Sequence, residues 1–100
     1  EEKTAFDQQY ADQFGVEAGE LSAFSWSAYD TGGVLIDAIE KVAFVEDGNL
    51  FVPRGALVEA VRNSDYVGLT GLVKCDEVGE CNASGPNFYE VVEGAWVPLD

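Results

Sequence analysis

The long amphipathic segment between residues 22 and 44 constrains the fold more than any other part of the sequence. Its apolar positions recur at helical spacing and form one stripe, made of Ala28, Gly32, Leu35, Ile39 and Val42 and widened by Tyr29 and Ile36. Asp30, Asp37 and Lys41 are expected on the opposite, solvent-facing side. A stripe this wide must pack against a sheet or against helices on more than one side.

The pair Gly32-Gly33 lies in the middle of this predicted helix. Each glycine costs roughly 1 kcal/mol relative to alanine in a helix interior. Because Gly32 falls on the apolar stripe, we interpret the glycine pair as a point of close approach to a sheet or to another helix.

A shorter helix is predicted on the N-terminal side, from Thr4 to Phe14. Apolar side chains occupy every fourth position of this segment, at Phe6, Tyr10 and Phe14. Thr4 and Asp7 resemble a capping pair, and Gly15 stands where a left-handed C-terminal residue is expected.

A third helix is predicted after the long one. The residues from Glu46 to Asn49 form a turn cluster, and residues 50–52 are interpreted as a brief extended piece. Pro53 suits the first turn of a helix, which is expected to end near Ser64.

The final third of the chain changes to the period of a strand. Alternation from Val67 to Cys75 predicts one strand, Phe88 to Val92 a second, and residues 95–97 a third that pairs back through the turn dipeptide Glu93-Gly94. The prediction is an α/β chain with three helices in residues 1–64 and a small β-rich tail in residues 65–100. So small a tail cannot cover the long helix, and the sequence starts in a helical pattern with no secretory leader. We therefore interpret residues 1–100 as a single fragment of a larger fold.

The charge balance excludes several classes of function. The chain has 19 acidic and 5 basic residues, a formal net charge of −14 and no histidine. We predict that the chain does not bind nucleic acid, because phosphate binding requires Lys and Arg. Without His, the Ser-His-Asp and Cys-His arrangements cannot form, and two cysteines alone cannot complete a zinc site. We therefore predict no enzymatic activity, no cofactor and no metal site.

The two cysteines, Cys75 and Cys81, flank a turn-forming sequence and leave three interpretations open. They can form a structural disulfide in an oxidising compartment, because a short loop can bring the Cα atoms to the 4.4–6.8 Å that the bond requires. They can also be two free thiols in a cytosolic protein. A redox-active or metal-binding pair is the third interpretation, although the spacing is not Cys-x-x-Cys.

Two further patterns occur near the cysteines. Asp76, Glu77 and Glu80 could bind calcium, but the register of an EF-hand loop is absent. The segment Asn82-Ala83-Ser84 satisfies the N-glycosylation sequon, a short pattern that is common by chance.

A collinear series of short motifs resembles the last third of leucine/isoleucine/valine-type periplasmic binding proteins, the type I class. No single motif is specific, but their order and spacing extend across nearly the whole chain. The series consists of Phe6-x-x-x-Tyr10-x-x-x-Phe14-Gly15, the segments 24–30 and 38–41, Val52-Pro53-Arg54-Gly55-Ala56-Leu57, the segments 68–71 and 75–81, and Glu93-Gly94-Ala95-Trp96-Val97.

The resemblance implies two α/β lobes that close on a ligand by a hinge, of which this chain would be a partial lobe. Such proteins deliver amino acids or similar small polar solutes to an ABC permease, outside the cytoplasm. In the leucine-binding relatives an aromatic residue before a Tyr-containing helix faces the cleft. Phe24 matches that position, with Ser25 and Trp26 as further ligand-binding candidates. The clip formed by Cys75 and Cys81 resembles a subset of the family in which it is structural.

Two other functions remain open. The chain could be a small extracellular interaction domain whose clipped β tail binds a protein partner, or a sensor domain of the same ancestry.

Overall fold

The computed structural model describes residues 1–82 and 88–99. In this part of the chain there are three helices, α1 (Glu2–Phe14), α2 (Ser25–Val42) and α3 (Arg54–Arg62). The strands are β1 (Phe44–Glu46), β2 (Asn49–Phe51), β3 (Asp65–Gly68), β4 (Gly71–Lys74), β5 (Tyr89–Val92) and β6 (Ala95–Pro98). The protein is thus a mixed helix and strand structure.

The strands form three separate antiparallel hairpins, β1–β2, β3–β4 and β5–β6. The predicted order of three helices followed by a β tail is wrong in one respect, because the hairpin β1–β2 lies between α2 and α3. The predicted helical part, residues 1–64, therefore contains two strands, of which β2 overlaps the extended piece predicted at residues 50–52.

The end of α1 agrees with the sequence, whereas its start does not. Gly15 is left-handed (φ 71°), and its N–H donates to the carbonyl oxygen of Ala11 over 2.9 Å, as expected for a C-terminal glycine. The capping pair Thr4 and Asp7 is wrong: the helix already begins at Glu2, with no side-chain cap, and Asp7 makes other contacts.

The face that α2 buries is not the one the apolar stripe predicted. Asp30, Val34 and Ala38 are buried, whereas Leu35 and Ile36 are exposed. The face turned towards α3 and β3 thus centres on small and polar side chains.

The close approach in this helix occurs at Gly33 rather than at Gly32. A Cβ atom on Gly33 would collide with the phenol of Tyr66, but none of the surrounding atoms lies within 4 Å of a Cβ on Gly32. The prediction placed this contact one residue too early.

The hairpin β1–β2 replaces the last predicted turn of α2. Phe44 pairs with Phe51, and their rings stack with centroids 5.5 Å apart. Asp47 and Gly48 both have positive φ (49° and 76°), as in the type I′ turn that joins strands in two-residue hairpins. The prediction that α2 runs to about Phe44 is therefore wrong, since the helix ends at Val42.

The single strand predicted from Val67 to Cys75 is also wrong. The segment folds back at Leu69-Thr70, so that Gly68 faces Gly71 and Asp65 faces Lys74. Neither Leu69 nor Thr70 is a typical turn residue; Gly71 follows them with a positive φ of 113°, and a further cause of the turn lies in α2, as described below.

The hairpin β5–β6 agrees with the prediction. Val92 faces Ala95 across Glu93-Gly94, and both turn residues have positive φ (50° and 84°). A second type I′ turn therefore joins the strands that the alternation pattern predicted.

The apolar core of the described residues is small. Val34 and Ala38 are the buried hydrophobic residues, while large side chains on every hairpin are exposed, among them Leu50, Leu72 and Trp96. The Cα radius of gyration is 17.6 Å, against about 13 Å for a compact chain of 100 residues. The elements are thus well formed locally but bury little apolar surface against one another.

Among the described residues, no helix combines the length and the apolar character that crossing a membrane requires.

Candidate functional site

A groove of about 340 Å³ lies between α2, α3 and the hairpin β3–β4. Its walls are mainly apolar, with Val34, Leu35, Val61 and Val73 among the lining residues. Its polar groups come from Ser27, Asp30, Thr31, Thr70 and Asn82. An apolar concavity of this size with a few polar groups has the character of a small-ligand site, at the lower end of the usual size range.

Asp30 fixes the hairpin on one side of this groove. Its Oδ1 accepts the backbone N–H of Leu69 over 2.7 Å, and its Oδ2 accepts the N–H and the hydroxyl of Thr70 over 2.8 and 2.6 Å. The residue is only 2% exposed. Three hydrogen bonds to one buried carboxylate satisfy two backbone donors of the turn, and they stabilise Leu69-Thr70 together with the positive φ of Gly71 (113°).

Close backbone packing at Gly68 supports the same contact. A Cβ atom on Gly68 would collide with the Asp30 carboxylate, so a side chain is excluded at this position. The small residue lets the turn close over the carboxylate.

Tyr66 joins β3 to α2 at a second point, where its phenol covers Gly33. Partial burial raises the pKa of Tyr66 above its ordinary value, and the negative charge of Asp30 adds to the effect. The neutral phenol is therefore favoured in this contact.

The disulfide between Cys75 and Cys81 is formed, as one of the three interpretations predicted. The two cysteines pair as an isolated antiparallel bridge that extends β4, and their Cα atoms are 3.8 Å apart, closer than expected. Cys81 lines the groove, so the clip fixes one of its edges.

Asn82 continues this edge with its side chain. The Asn82 amide Nδ2 donates to the carbonyl oxygen of Leu72 over 2.9 Å, and Oδ1 accepts the backbone N–H of Lys74. The side chain thus acts as an additional strand segment against β4. The rest of the sequon, Ala83 and Ser84, lies outside the described residues.

Asp76 organises the turn inside the disulfide loop. Its Oδ1 accepts the N–H groups of Val78 and Glu80 over 3.0 and 2.9 Å, in the manner of an Asx turn. In the described part of the chain, no group of three or more His, Cys, Asp or Glu side chains has a metal-binding arrangement.

The groove has no cationic lining. Lys and Arg are missing from the side chains that line it within the described residues, and the buried Asp30 carboxylate is held by dipolar donors alone. An anion would therefore meet a negative environment without a compensating charge.

The three predicted ligand-binding residues occupy the start of α2 and are not among the residues that line this groove. Phe24 is the N-terminal cap residue and is 74% exposed. The hydroxyl of Ser25 accepts the N–H of Gly19 and donates to the carbonyl oxygen of Ser22. Phe24 is the one of the three whose side chain is open to solvent contact.

Trp26 connects α2 to α1. Its Nε1–H donates to Oδ1 of Asp7 over 2.6 Å, and the ammonium of Lys3 lies 4.1 Å from the ring centroid. The indole hydrogen bond, followed by the one from Lys3, lowers the pKa of Asp7 below its ordinary value. The Trp26 side chain thus forms part of the contact between α1 and α2.

Sequence reasoning missed the central residue of the groove. Asp30 was assigned to the solvent-facing side of α2, whereas it is the buried acceptor of the β3–β4 turn. One signal was present in the sequence: Gly68-Leu69-Thr70-Gly71 has glycines that permit close approach and donors that require a partner.

No protein-family model, curated protein or solved structure matches the chain. The resemblance to leucine/isoleucine/valine-type binding proteins therefore stays a prediction, together with the partial-lobe architecture it implies.

Proposed function

We propose that this chain is part of an extracytoplasmic solute-binding receptor of an ABC importer, specific for amino acids or similar small polar solutes. In this proposal it contributes a partial lobe of the type I class, and its exposed apolar side chains pack against the remainder of the receptor.

The observation that carries the proposal is the apolar surface on well-formed elements. Ile36 on α2, and Val45 and Leu50 on β1–β2, are between 60% and 69% exposed. Apolar surface is costly in water at about 25 cal/mol per Å², and large contiguous patches normally mark a contact surface. An ordered helix face of this kind is what a lobe segment would present to its neighbours.

Phe24 would supply an aromatic wall of the solute site. Its side chain is exposed at the start of α2, whereas Ser25 and Trp26 are engaged in internal hydrogen bonds. A rigid ring at a helix entrance can pack against the apolar part of a solute. We therefore assign direct solute contact to Phe24 and a supporting role to its two neighbours.

The disulfide supports the extracytoplasmic location in this proposal. Disulfides persist in oxidising environments such as the periplasm or the cell surface, and the Cys75–Cys81 bond is compatible with an extracellular location. Delivery to a membrane permease would take place there.

A thermal-shift screen of the complete protein against amino acids and related metabolites tests the proposal. A solute at 100 times its dissociation constant should add about 2.7 kcal/mol to the free energy of unfolding. Phe24→Ala should weaken binding of that solute about two- to tenfold, because an aromatic contact contributes about 0.5–1.5 kcal/mol. Leu21→Ala is the matched control, since Leu21 is equally exposed nearby and is not a predicted site residue.

The receptor proposal is overturned if no solute of a broad panel stabilises the protein. Equal weakening by Phe24→Ala and Leu21→Ala would remove Phe24 from the solute site.

The hairpin β5–β6 favours a second candidate, a disulfide-clipped extracellular interaction domain. Trp96 is 76% exposed and Tyr89 49%, and these two residue types dominate the binding energy of many protein interfaces. For this candidate, Trp96→Ala should abolish capture of a protein partner and leave any solute-induced stabilisation unchanged.

A further inference from the structure

We infer that the groove between α2, α3 and β3–β4 is a binding site for a small alkylammonium compound, with the apolar stem on its valine walls and the ammonium at its Asp30 end. This site is separate from the proposed solute contact at Phe24 and does not depend on it.

The shape and lining of the groove select a compact apolar stem. Its volume of about 340 Å³ is near the lower limit of ligand sites. Val34 and Val73 come from α2 and β4, and Val61 from α3, so apolar groups face the groove from three elements. A short alkyl chain in contact with all three would lose most of its exposed apolar surface.

The electrostatics select a cation. Asp30 is 2% exposed and lines the groove, yet its described partners are two backbone N–H groups and one hydroxyl, all uncharged. A buried charge is usually balanced by an opposite charge, and a carboxylate can accept about four hydrogen bonds. With three bonds made, it has capacity for one more, and its negative charge attracts an ammonium nearby.

Two further polar groups lie next to Asp30 on α2. Ser27 and Thr31 also line the groove, and their hydroxyl oxygen atoms can accept hydrogen bonds from an ammonium. The formal charge of −14 on the chain adds a long-range attraction for cations. A carboxylate or phosphate would be repelled by the Asp30 carboxylate and by this net negative charge.

The test compares three probes of equal chain length on the intact protein, namely hexylammonium, hexanol and hexanoate. Backbone amide shifts of Leu69 and Thr70 report the site, because both N–H groups donate to Asp30. We expect hexylammonium to bind with a dissociation constant on the order of 1 mM, about tenfold more tightly than hexanol. Hexanoate should produce no saturable shift.

A pair of α3 variants locates the binding. Val61→Trp should fill the groove and abolish the hexylammonium shifts, whereas Val58→Trp, at an exposed position of the same helix outside the groove, should leave them unchanged. If Val61→Trp fails to fold, the comparison of the three probes on the unmodified protein still decides the matter.

The inference is overturned if hexylammonium leaves the two amides unchanged, if hexanoate binds as tightly, or if hexanol equals hexylammonium. A failed amino-acid screen with intact hexylammonium binding would reject the receptor proposal and keep this site.

Discussion

The hairpins β3–β4 and β5–β6 have strands of the same length and loops of two residues each, but their turns are stabilised in different ways. Glu93-Gly94 supplies the positive φ angles of a type I′ turn, so β5–β6 is specified by its own residues. Leu69 and Thr70 lack positive φ, and the local contribution is limited to Gly71 (φ 113°), so the turn also depends on Asp30 from a helix about 40 residues earlier. One hairpin is a local structure, and the other is a tertiary one.

The position of each hairpin follows from this difference. The tertiary hairpin packs on α2 and forms a wall of the groove, whereas no described hydrogen bond connects β5–β6 to the rest of the chain. The hairpin β1–β2, with its Asp47-Gly48 turn, belongs to the local kind. The groove therefore lies beside the hairpin whose turn is bonded to a residue distant in sequence, Asp30.

Removing the carboxylate of Asp30 should have the largest effect. Asp30→Ala leaves the two turn N–H groups and the Thr70 hydroxyl without their acceptor, which should cost about 3 kcal/mol in the free energy of unfolding. Urea denaturation measures the loss, and amide exchange should rise in β3–β4 but not in β5–β6.

Asp37→Ala is the matched control for this variant. Asp37 is on the same helix and pairs with Lys41 four residues on, an accessible contact that should contribute less than about 0.5 kcal/mol. Equal losses for the two variants would refute the distinction between a tertiary and a local hairpin.

The sequence predicted those parts of the fold whose causes are local. Gly15, the Glu93-Gly94 turn and the three helices follow from neighbouring residues, and the structure agrees with them. The hairpin at Asp47-Gly48 could also have been found, because an Asp-Gly pair between apolar segments is a strong hairpin signal.

The parts that the sequence did not predict have distant causes. Helical periodicity places Asp30 with the other charged residues, and nothing within one turn indicates that it accepts bonds from residues 69 and 70. The same limit applies to Gly33, whose contact with Tyr66 crosses 33 residues of sequence. The groove depends on these contacts, so it could not be derived from local patterns.

The disulfide should have the next largest effect. Replacing both Cys75 and Cys81 with Ser should lower the free energy of unfolding by about 2 kcal/mol, the chain-entropy value for so short a loop. The intact mass before and after reduction and alkylation first establishes that the bond is present.

The location of this effect sharpens the comparison of the hairpins. Amide protection should fall at Lys74 and Asn82, where the clip extends β4, and stay unchanged in β5–β6. A loss of protection in β5–β6 of similar size would show that the two hairpins are coupled.

Replacing either of the adjacent glycines of α2 should change the free energy of unfolding by a smaller amount, with opposite signs for the two positions. Gly33→Ala places a Cβ atom against the phenol of Tyr66 and should destabilise the fold by about 1–2 kcal/mol. Gly32→Ala meets open space and should stabilise α2 by up to about 1 kcal/mol through helix propensity. Thermal unfolding of both variants measures the difference, and equal signs would contradict the packing of β3–β4 on this helix.

Asp7 provides the smallest effect and a second comparison, between an accessible carboxylate and the buried Asp30. The hydrogen bond from Trp26 lowers the pKa of Asp7 below its ordinary 3.8, so the carboxylate stabilises the folded state above that pH. This contribution should be lost as the pH falls from about 3.8 through the lower pKa of the folded state. The indole N–H resonance of Trp26 should shift in that range, with the resonance of Trp96 as the internal reference.

Asp7→Asn should remove the transition and Asp12→Asn should not, since Asp12 bonds only with Gln8 among the described residues. A transition retained in Asp7→Asn would mean that another group controls the contact between α1 and α2.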